Sequence, residues 1–200
     1  RSYTDIPGAM DGPIQRDLST AQMLDYFKDE PADFAPGEAW RYNNSGYVLV
    51  GAVIEAASGQ PWHQYLKETL FVPLGLDDTG YGADPAVVAR QVKGYNTSGG
   101  EPAPAQALSM TQPHAAGALV STVDDLARWN RALHEGKVLK PETYARMITP
   151  VGKAAEIAPG YGYGFGIETT SVRGAPSLEH SGGIPGFSAQ LSYLQGPDIT

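Results

Sequence analysis

A tyrosine and two asparagines stand directly before a long apolar segment, and their side chains are of types that can do chemistry. They are Tyr42, Asn43 and Asn44, and Ser45 follows them. Asparagine and serine also cap helices, because their side-chain oxygens accept hydrogen bonds from the first free backbone N–H groups. Polar groups at the mouth of a rigidly packed helix are held in place, as a functional site requires. Tyr42 and Asn44 are therefore candidate site residues, with a wall residue and a helix cap as the alternative.

The segment that would position these side chains is apolar on nearly every face. It covers residues 48–58, and Gly59 follows at a place suited to a helix end. The pattern predicts a helix buried in the middle of a domain. Pro36-Gly37 predicts a turn shortly before it.

A second stretch that could do chemistry lies near the end of the chain. Residues 179–187 have the sequence Glu-His-Ser-Gly-Gly-Ile-Pro-Gly-Phe, which places His180 beside two glycines. Taken alone, the stretch also fits a glycine-rich hairpin that carries a partly exposed histidine.

The two stretches together resemble a known family. Pro-Gly-x-x-x-x-Tyr-x-Asn-x-Gly-Tyr, followed by an apolar helix and Ser-Gly, resembles the second motif of the penicillin-recognising serine hydrolases. The most similar branch holds class C-type β-lactamases, penicillin-binding protein-like D,D-peptidases and related esterases. The resemblance implies that Tyr42 acts in proton transfer and that Asn44 orients the substrate or a catalytic lysine.

The later stretch resembles the third motif of the same family, Lys/His-x-Gly on a strand that lines the active site. The resemblance implies that His180 binds a substrate carboxylate or assists proton transfer. The implied substrate-binding and oxyanion residues are Ser181, Gly182 and Gly183. Gly182 would let the substrate lie against the strand, and the N–H of Gly183 would supply half of the oxyanion hole.

The first motif of the family, Ser-x-x-Lys, is missing. In that motif the lysine lies near the serine and activates it as the nucleophile. None of the serines in this sequence has a lysine three residues on. We therefore expect these residues to be a fragment whose nucleophile lies in another segment, rather than a natural non-catalytic homologue, because Tyr42, Asn44, His180 and Gly182 all remain.

Composition excludes several classes of function. The 200 residues contain no cysteine, which excludes disulfides, thiol catalysis and cysteine metal sites. The formal net charge of −8 argues against nucleic acid or an anionic membrane as partner. No apolar run has transmembrane length and no signal peptide is visible, although the family resemblance implies export to the periplasm or the outside of the cell.

Helices are predicted on both sides of the central one. Ser19 or Thr20 can cap a short helix that ends near Lys28, and Pro61 can begin another over residues 61–70. Further along, Thr122 with Asp125 predicts a capping box, and Gly136 would stop that helix. Another helix is predicted over residues 141–148, whereas the loops 1–18 and 80–116 are irregular and would hold the pocket walls.

Strands are predicted from Tyr161 onward. Tyr163, Phe165 and Ile167 alternate with smaller or polar residues, and residues 177–180 and 187–194 follow as a second and third strand. Short turns between them imply antiparallel pairing. The fold class is therefore α/β (α+β), an antiparallel β-sheet packed with helices, of the β-lactamase/transpeptidase type and incomplete at both ends. We expect one domain over residues 1–200, with a helical region at 19–148 and a sheet region at 161–194.

The remaining histidines fit no metal site, because their spacing lacks His-Glu-x-x-His or His-x-His. We expect no metal and no cofactor. His63 is predicted to be a packing or surface residue, and His134 to be a positive side chain that suits a helix C-terminus. His114 is a weaker candidate for the border of the cleft.

The function implied by the resemblance is acyl transfer from an amide, a β-lactam or an ester to water through an acyl-enzyme. The expected substrate is a small molecule such as a β-lactam, a D-Ala-type peptide or an ester. The alternatives are a carboxylesterase, a D-amino-acid peptidase, or a binding module without turnover. The oligomeric state stays open, with association through an exposed sheet edge as one prediction.

Overall fold

The computed structural model describes residues 1–9, 16–97 and 99–200 of the chain. Residues 10–15 and Ser98, which belong to the predicted loops, lie outside the described residues. The α-helices are α1 Thr20–Phe27, α2 Asn44–Ser58, α3 Trp62–Leu66, α4 Val72–Leu74, α5 Pro85–Val88, α6 Val123–His134 and α7 Pro141–Ile148. A π-helical stretch, Lys67–Phe71, joins α3 to α4, and short 3-10 turns cover Tyr3–Asp5, His114–Ala116 and Gly152–Ala155.

All the described strand pairs are antiparallel. Two small sheets pair β1 Gly80–Tyr81 with β4 Leu119–Val120, and β2 Tyr95–Asn96 with β3 Ala103–Pro104. The larger sheet has the order β5-β6-β7-β8, formed by β5 Gly162–Tyr163, β6 Glu168–Val172, β7 Ala175–Ile184 and β8 Phe187–Leu194. The prediction of helices together with an antiparallel sheet is confirmed.

Helix α2 has the predicted ends but not the predicted burial. Asn43 is its N-cap, and Gly59 ends it in the left-handed conformation with φ of 74°. Val48 is fully buried and packs with Tyr3 and Met23 in a core cluster. Val53, however, is 66% exposed, and Leu49 and Val50 are each 49% exposed. The expectation of a helix buried in the middle of the domain was wrong for this face, because apolar composition does not say which neighbours cover each face.

The other helices follow their predicted signals with small differences. Ser19 and Gln22 form a capping box at α1. Pro61 is the N-cap of α3 rather than its first helical residue. At α6 the Thr122 side chain accepts a hydrogen bond from the backbone N of Asp125, but the predicted reciprocal bond is absent, since the Asp125 carboxylate is directed to Asp78 and Thr79 instead.

The predicted first strand is in fact a hairpin. The alternating residues Tyr163, Phe165 and Ile167 do not lie in one strand, because Gly166 adopts φ of 75° and turns the chain back from β5 to β6. The second predicted strand extends to Ala175–Ile184, and the third has the predicted bounds.

Hydrogen bonds made by His134 and Asn130 connect α6 to α7 and β8. His134 Nδ1 lies 2.7 Å from the hydroxyl of Tyr144, and His134 Nε2 lies 3.1 Å from Oδ1 of Asn130. The amide of Asn130 donates to the backbone oxygen of Ser192 at 3.0 Å. The His134 ring also stacks on Tyr193 with centroids 4.0 Å apart. Burial lowers the pKa of His134 to about 4, so the predicted positive charge is absent at neutral pH.

This histidine makes the stability of the fold depend on pH. The pKa of His134 is about 4 in the folded chain and about 6.5 in an unfolded one, so the unfolded chain binds the proton first. The contribution to stability is complete above pH 6.5 and is lost as the pH falls toward 4. We expect the free energy of unfolding, measured in urea, to fall more between pH 7 and pH 4.5 in the unmodified protein than in His134→Gln. Equal falls in both proteins would contradict this assignment.

Candidate active site

Ion pairs made by Arg41, the residue before Tyr42, fix the loop that carries Tyr42. The guanidinium of Arg41 lies 2.8 Å from Asp5 and 3.2 Å from Asp33, which ties the loop to the start of the chain. Asn43 then caps α2 by accepting from the backbone N of Gly46 at 3.1 Å. These contacts hold Tyr42, whose ring is 45% exposed, at the N-terminal end of α2.

Asn44 is the first residue of α2 and not its cap. Its backbone N donates to Ser2 Oγ at 3.1 Å, and its side-chain amide donates to Thr4 Oγ1 at 3.4 Å. The backbone N of Tyr3 donates to the buried Ser45 Oγ at 2.7 Å. The short 3-10 turn Tyr3–Asp5 is thus docked on the helix end beside Tyr42, and the Asn44 amide faces this turn.

His180 lies on β7 just where the neighbouring strand ends. Strand β6 pairs with β7 only as far as Glu168 opposite Glu179, whereas β8 continues to pair with β7 up to Ile184. Residues 180–184 of β7 therefore have one side that no described strand covers.

The register of the hairpin shows which amides face that open side. Ile184 pairs with Phe187 across a two-residue loop, and residues that flank such a loop form a hydrogen-bonded pair. The backbone groups of alternate residues then point away from β8, and these include Ser181 and Gly183. A Cβ built at Gly183 meets no atom within 4 Å, and one at Gly182 meets only Ala189 at 4.0 Å. The N–H of Gly183 thus points to the side of β7 that no described strand covers.

Aromatic rings from both stretches meet around His180. The hydroxyl of Tyr163 lies 2.8 Å from His180 Nε2. The ring of Tyr42 lies 6.2 Å from that of His180 and 6.2 Å from that of Tyr163, between centroids. The ring of Trp40 lies 5.3 Å from that of Tyr163. The structure thus brings together Tyr42 and His180, which are 138 positions apart in the sequence.

The electrostatic surroundings keep the phenols of this cluster protonated. Burial raises the pKa of Tyr42, and the nearby carboxylate of Glu168 raises it further. Burial likewise raises the pKa of Tyr163, and neighbouring tyrosines and Glu168 add to the effect. At neutral pH both side chains are therefore proton donors.

His114 does not border an open cleft, so that weaker prediction was wrong. The side chain is 3% exposed and packs against Trp62, and its Nε2 lies 3.1 Å from Thr20 Oγ1. The physical reason is that α2 approaches the 3-10 turn His114–Ala116 closely at Gly51, where any side chain would collide with the histidine ring. His63 is a packing residue as predicted, since it stacks on Tyr81 at 4.3 Å.

Sequence reasoning missed Tyr163 and Trp40 as members of this cluster. Tyr163 was assigned only to a strand, although glycines at 162 and 164 flank it and leave its ring without bulky neighbours. Trp40 stands two residues before Tyr42, a spacing that puts both side chains on one side of an extended segment. These two signals were available, but neither identifies the partner across the fold.

The described part of the chain holds neither a three-ligand metal cluster nor a helix that could cross a membrane. Among residues 1–9, 16–97 and 99–200, no group of three or more histidine, cysteine, aspartate or glutamate side chains is arranged to hold a metal ion. Within the same residues, no helix combines the length and the apolar character needed to span a membrane.

Comparison with known proteins identifies relatives along nearly the whole chain. The sequence model of the Beta-lactamase family matches residues 4–198. The putative penicillin-binding protein PbpX of Bacillus subtilis is 28% identical over 159 residues, which are 79% of this chain and 37% of that protein. The D-aminopeptidase of Gluconobacter oxydans is 26% identical over 191 residues, covering 88% of this chain and 35% of that protein.

A solved structure shows the same fold. The D-stereospecific amidohydrolase from a Streptomyces species superposes with a TM-score of 0.84 at 26% identity, covering 97% of this chain and 60% of that one. The chain thus spans little more than a third of the length of the two curated relatives and about three fifths of the solved one.

Proposed function

This chain belongs to the Beta-lactamase family, and from that membership we propose that it is part of a serine hydrolase working through an acyl-enzyme. The proposed reaction transfers the acyl group of an amide, a β-lactam or an ester to water. The observation that carries the proposal is the meeting of Tyr42 and His180 beside the uncovered edge of β7.

The nucleophile in this proposal is a serine that the 200 residues do not include. None of their serines has the lysine three residues on that would activate it. The experiments below therefore use the full-length protein, meaning the protein that contains these residues together with the serine-bearing segment.

Tyr42 would protonate the leaving group. Its raised pKa keeps the phenol protonated at neutral pH, which suits a general acid. For the same phenol to take a proton from the serine, a nearby cation must first lower its pKa. The lysine of the missing motif would supply that positive charge, and Asn44 would orient either this lysine or the substrate.

The N–H of Gly183 would stabilise the oxyanion that forms when the serine attacks. It points to the open side of β7, and the absence of a side chain at Gly182 and Gly183 leaves room for a substrate along the strand. One such donor is typically worth about 10²–10³-fold in kcat. Ser181 would contribute through its backbone, which also faces this side.

An amidase or D-amino-acid peptidase is a second candidate within the same chemistry. It is favoured by the similarity to a D-aminopeptidase and to a D-stereospecific amidohydrolase. A carboxylesterase of the same fold and a binding module without turnover are the remaining alternatives. Export of the protein, and association through the exposed edge strand β8, stay predictions.

A panel of chromogenic substrates separates these candidates. The full-length protein would be assayed with nitrocefin, a p-nitrophenyl ester and a D-amino-acid p-nitroanilide under the same conditions. Hydrolysis of any of them supports acyl transfer, and the fastest indicates the substrate class. If none of the three is hydrolysed and a ligand binds reversibly, the binding module is favoured.

A further inference from the structure

His180 holds its proton on one particular nitrogen. Its Nδ1 lies 2.6 Å from the backbone oxygen of Ser181. A carbonyl oxygen can only accept a hydrogen bond, so Nδ1 must carry the proton. In a neutral imidazole the other nitrogen, Nε2, is then an acceptor.

The Nε2 position is already occupied by a phenol from another strand. Tyr163 places its hydroxyl 2.8 Å from Nε2, and a protonated phenol donates to that nitrogen. Tyr163 is only 7% exposed, and its ring packs against those of Trp40 and Tyr42. The tyrosine is therefore a rigid donor, and both nitrogens of His180 are engaged inside the protein.

We propose that Tyr163 is a positioning residue that holds the His180 ring with Nε2 turned to its phenol, which leaves the ring no free N–H for an anion and so selects substrates without a carboxylate at this subsite. The proposal rests on the proposed function and specifies its substrate class. A ring whose two nitrogens are both engaged by protein groups has no N–H left to donate to a substrate anion. Arg41, which stands next to Tyr42 in the sequence, is also unsuited to a carboxylate, because its guanidinium already pairs with Asp5 and Asp33.

The substrate class that fits is an amide or ester whose leaving group is neutral. The Trp40, Tyr42 and Tyr163 rings give the site an apolar wall, which suits an uncharged group better than a charged one. A peptide with a free C-terminal carboxylate would find no unpaired positive side chain among these residues, since Arg41 is already paired. The role of carboxylate binding that the family resemblance implies for His180 is thus replaced by a role in shaping a neutral subsite.

The first test is ¹⁵N NMR of the His180 ring in the full-length protein and in its Tyr163→Phe variant. In the unmodified protein we expect one tautomer, with the proton on Nδ1. In Tyr163→Phe we expect the proton to stay on Nδ1, which still faces the Ser181 oxygen, and the Nε2 signal to shift, because that nitrogen has lost its hydrogen-bond partner. Tyr161→Phe is the matched control, since it removes a nearby phenol that contacts Glu168 instead. Identical His180 spectra in all three proteins would overturn the positioning role.

The second test compares two substrates, a D-alanyl ester with a neutral leaving group and a D-alanyl-D-alanine peptide that ends in a carboxylate. The measured quantity is the ratio of kcat/KM for the neutral ester to kcat/KM for the peptide. We expect Tyr163→Phe to lower this ratio by about tenfold, the scale of one hydrogen bond. Tyr161→Phe should leave the ratio unchanged. In a His180→Gln background, Tyr163→Phe should have no further effect, because the tyrosine acts through the histidine.

The outcomes separate this inference from the proposed function. If the full-length protein hydrolyses neither substrate, the proposed function fails, and the NMR comparison still decides whether Tyr163 positions His180. If hydrolysis occurs but Tyr163→Phe changes neither the ratio nor the spectrum, the inference alone is overturned.

Discussion

Replacing Tyr42 with phenylalanine in the full-length protein should lower kcat by about 10²–10⁴-fold and leave the fold intact. The change removes only the hydroxyl, which is the group that would donate the proton to the leaving group. The ring that packs beside Tyr163 and His180 remains, so thermal stability should be close to that of the unmodified protein. The measurement is steady-state kinetics with the best substrate of the chromogenic panel.

Tyr65→Phe is a suitable control for this change. Tyr65 lies on α3, is 37% exposed, and loses the same hydroxyl without touching the cluster. Turnover should be unchanged in the control. If Tyr42→Phe also retained full turnover, Tyr42 would have no part in the mechanism.

Replacing Asp125 with alanine should cost about 3–5 kcal/mol of unfolding free energy, the scale for breaking a buried charged network. Asp125 is 1% exposed and lies in the first turn of α6. Its carboxylate accepts from the backbone N of Asp78 at 2.8 Å and from Thr79 Oγ1 at 2.9 Å, and it pairs with Arg128 at 2.7 Å. Alanine would leave these donors without their acceptor and a cavity beside them.

The neighbouring residue offers a matched control. Asp124 lies in the same helical turn but is exposed, so Asp124→Ala should lose only the favourable interaction with the helix dipole, about 0.3–1 kcal/mol. Urea denaturation of both variants gives the comparison. A loss below 1 kcal/mol in Asp125→Ala would show that this network does not hold α6 to the loop at Asp78.

Local signals in the sequence predicted helix ends well. Ser19 caps α1, Asn43 caps α2, and Gly59 ends α2 with a positive φ. Each of these effects depends on one side chain and the few backbone groups beside it, so the sequence contains all the information that is needed.

Patterns that depend on distant neighbours were less reliable. The alternation through Tyr163, Phe165 and Ile167 indicated one strand, but Gly166 turns the chain in the middle of it. The apolar surface of α2 indicated full burial, although Val53 is largely exposed in the described chain. Periodicity reports which face of an element is apolar and not what lies against that face.

The candidate site was predictable in part. Tyr42 and His180 were singled out from their motifs, and the structure brings their rings together. The hydrogen bond from Tyr163 to His180 joins two strands across a turn and could not be deduced from spacing alone. The Asn44 amide, which the resemblance assigned to the substrate or a lysine, has Thr4 as its partner here, a contact between segments 40 positions apart.

The most direct test of the acyl-enzyme proposal is intact mass spectrometry of the full-length protein after incubation with a labelled penicillin and, separately, with a labelled ester that carries no carboxylate, followed by peptide mapping. The account predicts one covalent adduct, on a serine that is outside the 200 residues and is followed by lysine three residues on. The adduct should persist longer in Tyr42→Phe if the phenol also assists the release of the acyl group. An adduct on a residue of this chain, or no adduct with either probe under conditions that saturate the site, would contradict the account.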